Sequence, residues 1–477
     1  MTTSRKVPEF VIAGHPNEGK SSLLSTLAED DSVKVSPYPG ETKRCKAFPV
    51  KIDGQEIIRF VDTPGFQNPM RVLAWMRKYK GATSNIIRDF IASHKDDPVF
   101  RDDCELLRPM EKATGIIFVV DGSRPLRRGD KAEMEILRLI GRPRMAVINC
   151  KTDDSRWLSS WQEEFRRHFN SIRVFNSCKA GYRQRIELLE SLKAIDQELS
   201  ILLDSVISAI KADWAARRQK SAEIIASMLK DILGFQKQTP ILLPELGEEA
   251  EKKLEAKLLE EYRSFAKKRE AKAHKELRRI YKHRLLDSAL PEHSILQEDL
   301  FSKKTWQFLG LSKRQLVIAG AIGGAAAGAM VDIGHGGLSM GLFSMAGGLI
   351  GGVGAAVGSK EVLAGTRLLG IRLDKESIVI GPANNIQLLY VLLDRALMYF
   401  SHITGWSHGR RDYENAHCEL HENGKRGFTS EWSMERRRIC QAFFKAVTDK
   451  SQDEATIFQA EVTFVGMLED VLKEIAG

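Results

Sequence analysis

The sequence has no Cys-x-x-Cys pair. Its six cysteines, Cys45, Cys104, Cys150, Cys178, Cys418 and Cys440, are scattered. Neither a zinc knuckle nor a dithiol redox centre is indicated, and a reducing, cytosolic setting is the natural expectation. Residues 1–10 carry no apolar run, so no secretory signal is expected there. No repeat of solenoid period is visible. Residues 360–477 show no constellation of metal ligands or nucleophiles. At 477 residues the chain exceeds what one core sustains, so two or more domains are expected. A formal charge of +9 points to an acidic partner, either an anionic membrane surface or RNA.

Four segments separate by composition: residues 1–200, 201–310, 311–360 and 361–477. In the first, short apolar runs alternate with helical patterns. The runs are Phe10–Ala13, Glu56–Val61, Gly115–Asp121, Met145–Ile148 and Ile172–Phe175. That alternation predicts a mainly parallel sheet covered on both faces. The second segment reads as charged helix, and the third is almost wholly Gly, Ala and aliphatic residues. The last opens on a hairpin, Leu368–Leu373 and Ser377–Ile380. Apolar helices follow near Asn385–His402, Ser430–Val447 and Glu454–Ile475.

Chemistry concentrates near the amino terminus. Gly14-His15-Pro16-Asn17-Glu18-Gly19-Lys20-Ser21 is a complete Gly-x-x-x-x-Gly-Lys-Ser motif between an apolar run and a helical run starting at Ser22. The glycines let backbone N–H groups turn inward around phosphates, and the helix start adds its positive dipole end. Lys20 supplies a cation between the β- and γ-phosphates, and the Ser21 hydroxyl a magnesium ligand. Asp62-Thr63-Pro64-Gly65 ends a strand about 40 residues later. Asp62 is placed to hold magnesium through water, and the Gly65 amide to meet the γ-phosphate. Thr42, in Pro39-Gly40-Glu41-Thr42, lies between them and is a magnesium ligand from the other side.

With Val120-Asp121-Gly122-Ser123 added, these residues resemble the TrmE–Era class of translation-factor-related P-loop GTPases. The resemblance covers about residues 7–195, and the whole layout resembles bacterial proteins that fuse such a GTPase to a carboxyl-terminal domain of unknown function. It implies GTP and GDP as ligands, with magnesium. Lys20, Thr42 and Gly65 take the catalytic positions, and Gly14, Asn17, Glu18, Gly19, Lys20, Ser21 and Ser22 line the phosphates. In this class an Asn at the position of Asn17 coordinates potassium, so potassium-stimulated hydrolysis is expected. Phe66 stands where Ras-like proteins carry a water-orienting glutamine, which implies slow intrinsic turnover. The class motif Asn-Lys-x-Asp is altered here to Asn149-Cys150-Lys151-Thr152-Asp153. In one register Cys150 replaces the Asn while Lys151 and Asp153 fit. In the other Asn149 fits and the carboxylate comes one residue late. The favoured pair is Lys151 and Asp153, with Asn149 near the base edge. Ser177, Cys178 and Lys179 resemble the Ser-Ala-Lys loop that contacts the guanine oxygen.

Within residues 315–359, Gly320, Gly324 and Gly328 recur at spacing four, as do Gly348, Gly352 and Ala356. Such stripes let two helices approach closely, as in membrane helix pairs. A hairpin is suggested, with arms Leu316–Val331 and Leu338–Val357 and basic flanks at Lys313, Arg314 and Lys360. The first arm, at ~24 Å, is short of a bilayer core. A soluble helical hairpin and a self-assembly zipper are the alternatives. Residues 251–286 form a helix in which thirteen Lys or Arg outnumber six Glu, fit for anionic lipid or RNA phosphates. The expected fold is therefore an α/β P-loop GTPase domain followed by a mainly α-helical region with a Gly-rich, membrane-prone hairpin. The leading expectation is a membrane-associated GTPase switch on the cytoplasmic side of a membrane, of the bacterial inner-membrane kind. Self-association runs through the hairpin or the GTPase domain. A soluble, cytoplasmic RNA- or ribosome-associated GTPase using helix 251–286 is the second expectation, and a nucleotide-sensing scaffold with negligible turnover the third.

Overall fold

The computed structural model describes residues 7–29, 44–150, 156–176, 180–240, 248–283, 372–374, 377–405, 427–449 and 451–476. Its amino-terminal part is built on six strands: β1 (Glu9–Ala13), β2 (Lys46–Ile52), β3 (Gln55–Asp62), β4 (Gly115–Asp121), β5 (Arg144–Asn149) and β6 (Ser171–Phe175). They lie in the order β2-β3-β1-β4-β5-β6. Only the β2–β3 pairing is antiparallel. The central runs become strands because each alternates between two buried layers, while β6, at the edge, buries Phe175 and leaves Arg173 and Val174 exposed. Phe10 and Ile12 enter one layer, with Leu23, Leu24 and Leu27, while Val11 and Ala13 enter the other, with Phe66 and Val72. β4 divides in the same way, Ile117 and Val119 against Ile116, Phe118 and Val120. Phe118 is fully buried, and truncating it to alanine would cost about 3–5 kcal/mol.

Strand β2 has no counterpart in the sequence-based expectation. It is an edge strand that buries only Phe48 and Val50, with Pro49 between them. Proline is tolerated at an edge. The strand is brought back by a tight turn at Asp53 and Gly54, both with positive φ (49° and 78°), the geometry a two-residue hairpin requires. Helices α1 (Lys20–Ala28), α2 (Pro69–Lys78), α3 (Ile86–His94), α4 (Arg101–Met110), α5 (Arg128–Ile140), α6 (Leu158–Phe165) and α7 (Tyr182–Lys193) cover the sheet. The stretch Arg71–Lys112 holds α3, α4 and most of α2.

The α1 layer does not stop at the sheet. Helix α8 (Gln197–Leu233) starts at an Asp196 cap whose side chain accepts from the Glu198 and Leu199 amides. Its face Leu199, Leu203, Val206 and Ile210 joins the same core. Three of the remaining helices follow the expected apolar runs: α10 (Gln387–Gly405), α11 (Met434–Thr448) and α12 (Glu454–Ala476). α10 is buried along nearly its whole length, the pattern of a central helix. Helix α9 (Glu248–Ile280) is tied to it by a buried fork, Arg395 Nε and Nη2 donating to Glu270 at 2.6 and 2.9 Å. A second sheet runs β7-β9-β8, from β7 (Lys237–Pro240), β8 (Arg372–Asp374) and β9 (Ser377–Ile380), all antiparallel. β8 and β9 pair as the expected hairpin, with the first strand at Arg372–Asp374; residues 368–371 of the expected arm lie outside the described residues. β7 interrupts what reads as continuous helix, and its four largely polar residues carry no strand signal.

The Gly-rich segment, residues 311–360, lies outside the described residues. Among the described residues, no helix is long and apolar enough to cross a membrane.

Candidate functional site: a phosphate loop at the carboxyl ends of β1 and β3

The sheet order places β1 between β3 and β4, so their carboxyl ends open a crevice above the sheet. The loop from Gly14 to Gly19 fills it. Gly14 has φ of 142°, and a Cβ there would lie 2.2 Å from the Val119 carbonyl oxygen, so only glycine fits. Asn17 and Gly19 also take positive φ, 68° and 93°. Gly19 caps α1 with no side chain, which leaves the first-turn N–H groups of the helix, near Ser21 and Ser22, to an anion.

Lys20 folds back under the loop. Its buried ammonium donates to the carbonyls of Gly14 (3.1 Å) and His15 (2.9 Å). The Ser21 hydroxyl donates to Asp62 Oδ2 at 3.1 Å, which joins α1 to the end of β3. Hydroxyl and carboxylate oxygens side by side are a hard donor set that fits magnesium. Thr63 donates to the Ile12 carbonyl at 2.7 Å and pins the same corner. Gly65 lies flush on the loop, since a Cβ there would meet Pro16 Cδ at 2.3 Å. Phe66 is fully buried in the second core layer with Val72 and Leu73, so its ring turns away from the crevice.

Two tethers hold the loop from α5 and were not foreseen from the sequence. Glu18 is buried, and its carboxylate accepts from Arg124 Nε at 2.7 Å and from the Asp121 amide. Burial pushes the Glu18 carboxyl up, against the pull of Arg124. Arg124 donates bidentately to Asp130 at 2.8 Å and lies over the Trp161 ring at 5.1 Å. Three residues further along α5, the buried Glu133 meets His15 Nδ1 at 3.2 Å. Burial pushes Glu133 up to about 7, and the hydrogen bond to Glu133 raises His15. The only sequence signal was the pair of charged residues at variable positions of the motif, His15 and Glu18, facing carboxylates three apart on a helix.

Asn149, at the end of β5, donates its amide to the Glu18 carbonyl at 3.2 Å. It braces the phosphate loop from the side where a base would lie. Cys150 is half-buried, its amide donating to the Phe175 carbonyl at 2.9 Å. The structure thus brings Gly14, Asn17, Glu18, Gly19, Lys20, Ser21, Ser22, Asp62, Gly65 and Asn149 to one crevice. Thr42, Lys151, Asp153, Ser177, Cys178 and Lys179 lie outside the described residues.

Comparison with known proteins agrees with this geometry. Residues 9–150 match the family model described as 50S ribosome-binding GTPase. The amino-terminal domain is a GTP-binding, P-loop GTPase domain. Residues 162–463 match the model of the domain of unknown function DUF3482, and the chain belongs to that family. GTPase Der of Bacillus thuringiensis (strain Al Hakam) and GTPase Der of Bacillus cereus (strain B4264) are each 25% identical over 213 residues. Those matches cover 42% of this chain and 44% of either relative, so the chain spans less than half of their length. A crystal structure of Era with MgGDPNP and nucleotides 1506–1542 of 16S ribosomal RNA aligns at 18% identity and a TM-score of 0.28, over 51% of this chain and 74% of that one. Bacterial selenocysteine-specific elongation factor EF-Sec aligns at 17% identity and a TM-score of 0.23, over 40% and 28%.

Proposed function

We propose that the chain is a guanine-nucleotide switch of the TrmE–Era-like kind that hydrolyses GTP slowly and works at an anionic membrane surface. The observation that carries the reading is the joining of Lys20, Ser21 and Asp62 at one crevice, with the Ser21–Asp62 hydrogen bond linking α1 to β3. The loop amides and Lys20 hold the phosphates. Ser21 and Asp62, with Thr42, hold magnesium, which when bound neutralises charge on the β- and γ-phosphates. The Gly65 amide meets the γ-phosphate. Water attacks the γ-phosphorus, the bond to the bridging oxygen breaks, and GDP and phosphate leave. No side chain at position 66 orients that water, because Phe66 is buried, and this supports slow turnover. Asn17, exposed at the rim of the loop, is the ligand offered to a potassium ion, an added cation where phosphoryl transfer needs one. Lys151 and Asp153 read the base, with the Ser177–Lys179 loop.

The membrane part of the reading is supported by α9. The helix buries Leu258, Tyr262, Ala266, Ala273 and Leu277 and exposes Lys267, Lys268, Lys275 and Arg279. Among the described residues those four cations make no ion pair, so they face solvent as a basic stripe. Two assays test the proposal on the full chain. GTP turnover with magnesium should be faster in potassium than in sodium, exceed ATP turnover, and vanish in Lys20→Ala. Equal rates in the two salts refute the potassium site, and turnover retained in Lys20→Ala refutes the phosphate assignment. Sedimentation with phosphatidylglycerol vesicles, absent with phosphatidylcholine, supports the lipid surface. Salt-sensitive RNA binding without vesicle binding overturns it.

A further inference from the structure

Both ends of α1 are engaged. Its first turn carries Lys20 and Ser21. Its carboxyl end is capped by Glu29, which is buried and takes a left-handed φ of 50°. Glycine is the ordinary residue at such a cap. The carboxylate explains the exception. Glu29 Oε1 accepts from Trp214 Nε1 at 3.0 Å and lies 2.5 Å from an Arg185 guanidinium nitrogen. Oε2 accepts from Arg217 at 3.0 Å and lies 3.6 Å from Lys282 Nζ. Asp213 holds Arg217 from its other side at 2.6 Å. Trp214 stacks on Tyr182 at 4.2 Å and meets Tyr281 edge-on at 5.3 Å. α7, α8 and the residues just beyond α9 therefore converge on the residue that caps the carboxyl end of the phosphate-loop helix. A small cavity of about 20 Å³ remains among them.

Stability is a weak reason for such a cluster, because apolar packing of the same volume often does as well. The best-attested use of buried charge is to fix one arrangement of elements, here α1 against the helical region. α1 has nine residues, ~14 Å of hydrogen-bonded helix, so a shift at Lys20 and Ser21 is a shift at Glu29. We infer that Glu29 is a positioning residue through which the helical region and the nucleotide site act on each other. This rests on the reading of Lys20 and Ser21 as phosphate and magnesium residues. Coupling is reciprocal. If the bound nucleotide changes the fit at Glu29, loosening Glu29 changes the discrimination between GTP and GDP.

The test uses the full chain, with GDP and with a non-hydrolysable GTP analogue. In the wild type, amide hydrogen exchange across residues 210–218 of α8 should differ between the two nucleotides. In Glu29→Gln that difference should collapse while both nucleotides still bind, and the ratio of the two affinities should move by about fivefold or more. Glu29→Asp, which keeps the charge, should restore part of the effect. Lys282→Met, at the exposed edge of the cluster, should move the ratio less and in the same direction, and it serves if Glu29→Gln does not fold. An affinity ratio unchanged in every variant overturns the inference, even if unfolding midpoints fall, because that is what a merely structural Glu29 would give. A wild type that binds both nucleotides without any difference in exchange also overturns it. A wild type that binds neither nucleotide overturns the proposed function as well, and only that result touches it.

Discussion

Glu133→Gln is the substitution whose effect can be worked furthest. Glu133 is completely buried under the phosphate loop, with His15 as its hydrogen-bonded partner at 3.2 Å. Asp130 and Lys20 act on it more weakly, and Glu18 and Arg124 act on His15. Burial raises the Glu133 carboxyl from 4.5 to about 7. The native state therefore keeps a proton that the unfolded chain has already released. That stabilisation is complete below pH 4.5 and is lost as pH rises through about 7. His15 is also raised, so it has the same sign, with its share present below its ordinary value and lost above the folded one. Each tenfold difference in proton affinity between the folded and unfolded chain is worth about 1.4 kcal/mol, so Glu133 removes about 2–3 kcal/mol of stability between pH 5 and pH 8. Glutamine keeps the size and loses the titration. Urea unfolding of both proteins, nucleotide-free, at pH 5, 6, 7 and 8 measures it. The difference between wild type and Glu133→Gln should slope by about 2–3 kcal/mol across that range, with the wild type losing ground as pH rises. Parallel profiles would refute the assignment of a buried, proton-holding Glu133.

Further outcomes follow from the same crevice. Gly65→Ala puts a methyl 2.3 Å from Pro16 Cδ and 2.5 Å from its backbone nitrogen, so the loop must move. Calorimetry should show GTP affinity down at least about tenfold, ~1.4 kcal/mol, and an unchanged affinity would contradict the close approach. Arg124→Met leaves Glu18 and Asp130 buried without their shared cation and should destabilise the domain by about 3–5 kcal/mol in urea unfolding. A loss below about 1 kcal/mol would show the pairs to be slack. Ser21→Ala removes the hydroxyl bonded to Asp62. The gain in nucleotide affinity from magnesium over chelator should shrink at least about tenfold, and an undiminished gain would remove Ser21 from the metal site.

The phosphate loop was legible because its chemistry is local. Eight consecutive residues between a strand and a helix carry both the glycines and the lysine, and the structure bends them as the motif requires, with positive φ at Gly14, Asn17 and Gly19. β1, β4 and β5 were legible because both their faces are buried, so each reads as a nearly unbroken apolar run, whereas β3 and β6 showed only as short apolar stretches, each interrupted by an arginine. β2 was hidden by the opposite circumstance, an edge strand with one dry face and a proline. β7 was hidden because its pairing with β9 joins residues about 140 apart. The tethers Glu18–Arg124–Asp130 and His15–Glu133 and the Glu29 cluster were hidden for that reason too. Each joins side chains more than a hundred residues apart, and a charged residue in a loop or at a helix end looks like a solvated one until the fold surrounds it. Asn149 was legible as a motif residue, but its hydrogen bond to the Glu18 carbonyl appears only in three dimensions.

Titration calorimetry of the full chain with GDP, GTP and ATP in magnesium, on the wild type and on Lys20→Ala, tests the central claim most directly. GDP and GTP should bind, ATP should bind about tenfold or more weakly, and Lys20→Ala should bind none of them measurably. A folded wild type that releases no heat with either guanine nucleotide at millimolar concentration would contradict the account, as would ATP binding as tightly as GTP.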